Sequence, residues 1–157
     1  MPTSVGDIQL RQFTANYESL GIVIDFLVER PPFDQSPTGK LIPAVKRQIA
    51  RRHHVCAFRG ETLVGYSGWL ATTVASGRLW LEGKGELEVV AGERYDAAAL
   101  TVVCADEPAI MRMLIRAMRD HLPGVRVFFR REYARDRRPA RARTVLNVTG
   151  PVGRGGR

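Results

Sequence analysis

The chain has 157 residues, of which 45% are hydrophobic, and a formal net charge of +8 with two cysteines. That length predicts one domain, residues 1–149, burying roughly 68–70% of its extended-chain surface, enough to fold without a metal or a disulfide. No apolar run approaches the roughly 18 residues of a membrane span, and residues 1–10 lack a basic-then-apolar signal pattern, so the expectation is a cytoplasmic protein.

Residues 4–13 read as an extended or coil lead-in. Asn16 to Glu29 predicts a helix, with Tyr17, Leu20, Val23, Ile24 and Leu27 sharing a face and Asn16 as cap. Arg30-Pro31-Pro32 ends it, and Phe33 to Gly39 is a loop holding Asp34. Lys40 to Arg52 predicts a second helix on Leu41, Val45 and Ile49, with Pro43 tolerable only in a first turn. Val55 to Arg59 and Leu63 to Ala71 predict a hairpin around Arg59-Gly60-Glu61. Ser76-Gly77 marks a turn, and Arg78–Leu81 and Gly85–Val90 are two further candidate strands.

The unbroken apolar run Ala97 to Cys104 predicts a strand covered on both faces. Asp106 and Glu107 precede Pro108, which favours a helix start there. Ile110, Met113, Leu114, Ala117 and Met118 then share one face as far as His121. Val125 to Phe129 is the returning strand, and the strand–helix–strand order predicts a crossover with the helix on the sheet. Arg141 to Val148 predicts a last strand beyond the turn-prone Glu132–Pro139. Gly150 to Arg157 reads as a disordered tail. The fold class expected is α/β, with a mixed, largely antiparallel sheet flanked by helices.

The charge is unevenly placed. Residues 126–157 hold ten arginines against Glu132 and Asp136, a balance of +8 that equals the net charge of the whole chain. Arg141 and Arg143 fall on one side of a strand, which predicts a basic stripe suited to an anionic partner. Acidic protein and nucleic acid both qualify, although no nucleic-acid motif is present. A homodimer is left open.

Cys56 and Cys104 sit in apolar runs and read as buried small hydrophobes. His53, His54 and His121 fall at helix ends, where the helix dipole suits them. No spacing of His, Cys and carboxylates suggests a metal, and there is no phosphate-binding glycine loop. Trp69 and Trp80 read as core. Tyr66, Trp69 and Arg130 are the candidates for lining a groove beside Leu100–Cys104.

The order of hairpin, central strand and crossover helix resembles the GNAT acyltransferase fold. That resemblance implies a Gly-rich loop after the central strand whose amides hold the pyrophosphate of coenzyme A. Ala105-Asp106-Glu107-Pro108-Ala109 stands there instead, without a glycine. Over roughly residues 17–148 the chain more narrowly resembles the RTX toxin-activating lysine acyltransferases. The residues that carry this are Leu20-Gly21 and Phe26-Leu27, the Pro-rich loop, Gly65-Tyr66-Ser67-Gly68-Trp69, Leu100 to Ala105, and the arginine-rich end. The resemblance implies acyl transfer from acyl carrier protein to a protein lysine, with no bound cofactor, using a loop His and a central-strand Asp. Phe33 and Thr101 stand at those two positions, and neither can act as a base. Asp34, His53 and Asp96 are the candidate replacements. The alternative is a non-catalytic adaptor of the same fold that grips a partner through its arginines.

Overall fold

The computed structural model describes residues 5–130 and 143–146. Six strands form one sheet in the order β1-β2-β3-β4-β5-β6: Ile8–Arg11, His54–Arg59, Thr62–Thr72, Ala97–Ala105, Arg126–Arg130 and Arg143–Leu146. The β1–β2, β2–β3 and β5–β6 pairs are antiparallel and β4–β5 is parallel. The four helices are α1 (Tyr17–Val28), α2 (Thr38–Ala50), α3 (Val74–Leu81) and α4 (Pro108–His121). This is the mixed, largely antiparallel α/β class expected. The chain divides into two compact units, residues 1–68 with 102–118, and residues 69–101 with 119–157.

In the first unit, α1 starts where Asn16 Oδ1 accepts the Ser19 N–H at 2.7 Å, which satisfies one of the free amides of the first turn. Its Val23, Phe26 and Leu27 join Leu41, Val45 and Ile49 of α2, Cys56 and Phe58 of β2, Leu63 and Tyr66 of β3, and Val102 and Cys104 of β4 in one core. Helix α2 begins two residues before the predicted start, so Pro43 lies in its second turn. The missing N–H there removes the bond that would reach the Gly39 carbonyl. The lead-in is more ordered than expected. Ile8–Arg11 pairs with Cys56–Arg59 as an edge strand, and the Arg11 guanidinium lies 3.9 Å from the Phe58 ring centroid.

The predicted hairpin is present, with Gly60 at φ 61° in its turn and a bulge at Ala57/Phe58. Strand β3 carries helices on both faces. A Cβ at Gly65 would stand 2.9 Å from both Ile110 and Leu114 of α4. One at Gly68, on the other face, would run into the Gln48 side chain of α2.

In the second unit two predictions are corrected. Residues 78–81 are not a strand but the end of α3, which also absorbs the Ser76-Gly77 turn. Thr73 starts it, its Oγ1 accepting the Ser76 N–H at 3.1 Å. Gly77 is the reason the helix can sit where it does, because any Cβ there would enter the Phe128 ring. A turn signal in the sequence is therefore a packing requirement in the fold. Residues 85–90 form no strand. They are held at single points, Thr72 Oγ1 to the Glu88 carbonyl at 2.6 Å, Glu88 N–H to Ser76 Oγ at 2.8 Å and Val90 N–H to the Ala71 carbonyl at 3.0 Å.

Strand β4 is buried on both faces over Ala97–Leu100 and alternates beyond. Its pairing with β5 covers Ala97–Leu100 against Arg126–Phe129, while β4 itself continues to Ala105. Helix α4 has the predicted bounds. Ile110, Leu114 and Met118 are buried, and Met113 is only half-buried. The last strand is described over Arg143–Leu146. The predicted turn at 132–139 and the tail at 150–157 lie outside the described residues.

Candidate functional site

The place to build a site is the turn where β4 passes into α4, because strand ends that open into helices gather free backbone amides. In this chain the turn is closed by charge pairs. Arg30, just past α1, holds Asp106 with two bonds, Nε to Oδ1 at 2.7 Å and Nη2 to Oδ2 at 3.2 Å. The same guanidinium donates to the Phe26 carbonyl at 2.6 Å and stacks 3.8 Å from the Phe26 ring centroid. Its hydrogen bond to Asp106 raises the Arg30 pKa further, against a smaller opposing effect of burial. Arg59, at the end of β2, reaches Glu107 at 2.8 Å. The Asp106 N–H donates to the Val64 carbonyl at 3.0 Å, which ties the turn to β3. Two carboxylates that the sequence places before a helix start thus face two arginines, a fork-shaped donor that suits carboxylates.

Cys104 lies beside this turn. Burial, the largest influence, pushes its thiol up, Arg30 pulls it down and Asp106 raises it, leaving it at about 11. Cys56 is pushed up further by burial. Both shifts favour the protonated thiol at neutral pH, the less nucleophilic form. Among the described residues no group of three His, Cys, Asp or Glu is placed to hold a metal, and no helix is long and apolar enough to cross a membrane.

A second polar cluster is buried in the first unit. His54 is fully buried on β2, its Nε2 accepting the Phe13 N–H at 2.8 Å and its Nδ1 facing the Gln48 carbonyl at 3.2 Å. The first bond needs a lone pair on Nε2, so the proton resides on Nδ1. The Tyr66 hydroxyl donates to Gln48 Oε1 at 2.8 Å, and its ring stacks on His54 at 6.1 Å between centroids. This network joins the segment after β1 to α2, β2 and β3.

Sequence reasoning missed most of these residues. Gln48 was detectable, since it follows Leu41 and Val45 on the apolar face of α2. His54 was read as a helix-end residue but is a strand residue. The partners of Arg30 and Arg59 lie 76 and 48 residues away, and no local pattern signals them.

The predicted site residues are dispersed. Asp34 is exposed in a short 3-10 turn, Phe33–Gln35, and Phe33 itself packs against the core. His53 is half-buried past the end of α2, its N–H donating to the Gln48 carbonyl at 2.8 Å. Desolvation, then the Arg51 charge, lowers its pKa. Thr101 is half-buried on β4, and Asp96 is exposed just before it. Tyr66 is fully buried, and Trp69 nearly so, with its Nε1 3.4 Å from the Tyr95 hydroxyl and its ring 6.0 Å from that of His121. Arg130 serves α3. It donates to the Trp80 carbonyl at 2.9 Å and lies 4.9 Å from the Trp80 ring centroid. Trp80 is half-buried, not a core residue. Arg141 lies outside the described residues, and Arg143 is described only as the strand residue opposite Arg130.

No protein-family model matches the chain, and no curated protein matches it. Solved structures do. The loading GNATL domain of CurA from Lyngbya majuscula aligns with a TM-score of 0.56 at 13% identity, over 78% of this chain and 64% of that one. A GNAT-family acetyltransferase from Streptococcus agalactiae aligns with a TM-score of 0.54 at 8% identity, over 82% of this chain and 78% of that one. The chain thus spans less than two thirds of the CurA domain. The fold is GNAT-like.

The turn after β4 does not fit a coenzyme A pyrophosphate. It presents the carboxylates of Asp106 and Glu107 where that group's negative charge would lie, and Pro108 has no N–H to offer.

Proposed function

We propose that this protein handles an acyl group as a GNAT-like acyltransferase, with acyl carrier protein, not free coenzyme A, as the source. The observation that carries the reading is the closed turn, where Arg30 and Arg59 neutralise Asp106 and Glu107 at the end of β4. A donor gripped through a carrier protein does not need that turn, because contacts with the carrier supply the binding energy. The surplus of arginine in residues 126–157 suits the acidic surface of such a carrier. The end product in this reading is an acylated lysine on an acceptor protein, as the resemblance to the toxin-activating acyltransferases implies.

A second reading is favoured by Phe33. The side chain packs against the core at the position where the resembling family keeps a catalytic His, and Thr101 stands where that family keeps an Asp. A chain that lost both groups and kept the carrier-binding surface would be an adaptor.

Intact-mass measurement separates the two after incubation with acyl carrier protein and a lysine-containing acceptor. Acyl mass on the acceptor, lost in Asp34→Ala or His53→Ala, supports transfer and names the base. A stable complex with carrier and no transferred mass supports the adaptor. Neither complex nor transfer removes both readings.

A further inference from the structure

The first unit contains an apolar hollow of about 210 Å³ between the start of α1 and the last turns of α2. Ala15, Leu20, Ile49 and Ala50 supply hydrocarbon to its lining. Its polar groups come from Asn16, Tyr17 and Lys46. Tyr17, at its edge, is 83% exposed. The Lys46 ammonium stands 6.0 Å from the Tyr17 ring centroid and takes part in no ion pair among the described residues. Asn16 uses its Oδ1 on the Ser19 N–H, which leaves its amide NH₂ as a donor.

Hydrocarbon therefore meets one amide donor and one cation that has no ion-pair partner among the described residues. On α2 the same positive sign is continued by Lys40 and Arg47, and by Arg51 and Arg52 beyond its end, against Glu18 and Asp25 on α1. A carboxylate on a short apolar body matches that arrangement. A neutral apolar molecule leaves Lys46 unused, and a polyanion such as a nucleotide has no use for the hydrocarbon. At roughly 30 Å³ for each group of water or methylene size, the hollow takes about seven such groups.

We infer that this hollow binds a free medium-chain fatty acid anion, with its chain against Leu20 and Ile49 and its carboxylate at Lys46. The site is independent of the acyl-transfer reading, since every residue in it lies within 15–50 and none belongs to the turn after β4.

The test is a titration of the full-length chain with octanoate, hexanoate and octanol, followed by amide NMR shifts. Octanoate is expected to shift residues 15–20 and 46–50 in a saturable way. Each methylene withdrawn from water is worth about fourfold, so hexanoate should bind on the order of tenfold more weakly. Octanol should bind about threefold to fivefold more weakly than octanoate, the value of one partly exposed ion pair. Lys46→Gln should bring octanoate down to octanol and leave octanol unchanged. Ala50→Leu, at an exposed position, should fill the hollow and weaken both ligands; Leu20→Trp repeats the test from the opposite wall. Equal binding of octanol and octanoate, shifts scattered away from these segments, or native affinity in Ala50→Leu would overturn the proposal.

Discussion

Tyr66→Phe distinguishes a structural tyrosine from a ligand-facing one by removing a single atom. The ring stays in its place on His54. What is lost is the hydroxyl that donates to Gln48 Oε1 at 2.8 Å, in a pair where Tyr66 is fully buried and Gln48 is 2% exposed. Burial also raises the phenol pKa well above its ordinary value, so the hydroxyl remains a neutral donor at any working pH. Losing one such hydrogen bond costs about 0.5–1.5 kcal/mol net. Taking about 1 kcal/mol, the melting temperature should fall by about 2–4 °C for a chain of this size. Urea unfolding should show a lower midpoint at an unchanged slope, the signature of a stability loss without a change in compactness. Gln48→Leu supplies the other side of a double-mutant cycle, with a coupling of about 1–2 kcal/mol expected from the shared bond. An unchanged midpoint in Tyr66→Phe, with reduced binding of acyl carrier protein, would refute the structural assignment and return Tyr66 to the ligand surface.

Arg30→Ala should cost about 2–3 kcal/mol, because it removes the Phe26 carbonyl bond and the ring stacking along with the ion pair; Asp106→Asn should cost less than about 1 kcal/mol, since the Asp106 side chain is 38% exposed and its pair is screened. Equal losses in chemical denaturation would mean that the pair alone holds the turn. His53 has a lowered pKa in the fold, so the unfolded chain binds its proton more readily; stability is full above its ordinary value of about 6.5 and falls as pH drops through it. His53→Gln should therefore lose less stability than the native chain between about pH 7.5 and about pH 5.5, and an identical loss would remove His53 as the cause. Cys56 and Cys104 should both resist a disulfide-exchange reagent in the folded protein and react together in urea; rapid labelling of native Cys104 would contradict a thiol held at about 11.

Elements with a strong local pattern were legible in the sequence. Helix α4 was, because a Pro start, five apolar residues at helical spacing and Pro123-Gly124 agree with one another. Helix α3 was not, since Gly77 normally breaks a helix and is kept here because Phe128, 51 residues on, occupies the space of a side chain. Residues 85–90 alternate well enough for a strand but are anchored by side-chain bonds from Thr72 and Ser76. The same limit governs the site. Asp106 and Glu107 could be seen to oppose phosphate, whereas their arginines on α1's end and on β2 are brought in only by the fold. Tyr66 and Trp69 were picked for their chemistry, but long strands such as β3 bury both faces, and period-two reasoning assigns only one.

The central claim is that this GNAT-like chain does not hold free coenzyme A and instead engages acyl carrier protein. Calorimetric titration with both, side by side at low and high salt, tests it most directly. The account predicts no saturable binding of coenzyme A up to about 1 mM, a binding free energy of about −4 kcal/mol, and carrier binding that weakens as salt rises. Saturable micromolar binding of coenzyme A to the native chain, with none of the carrier, would contradict it.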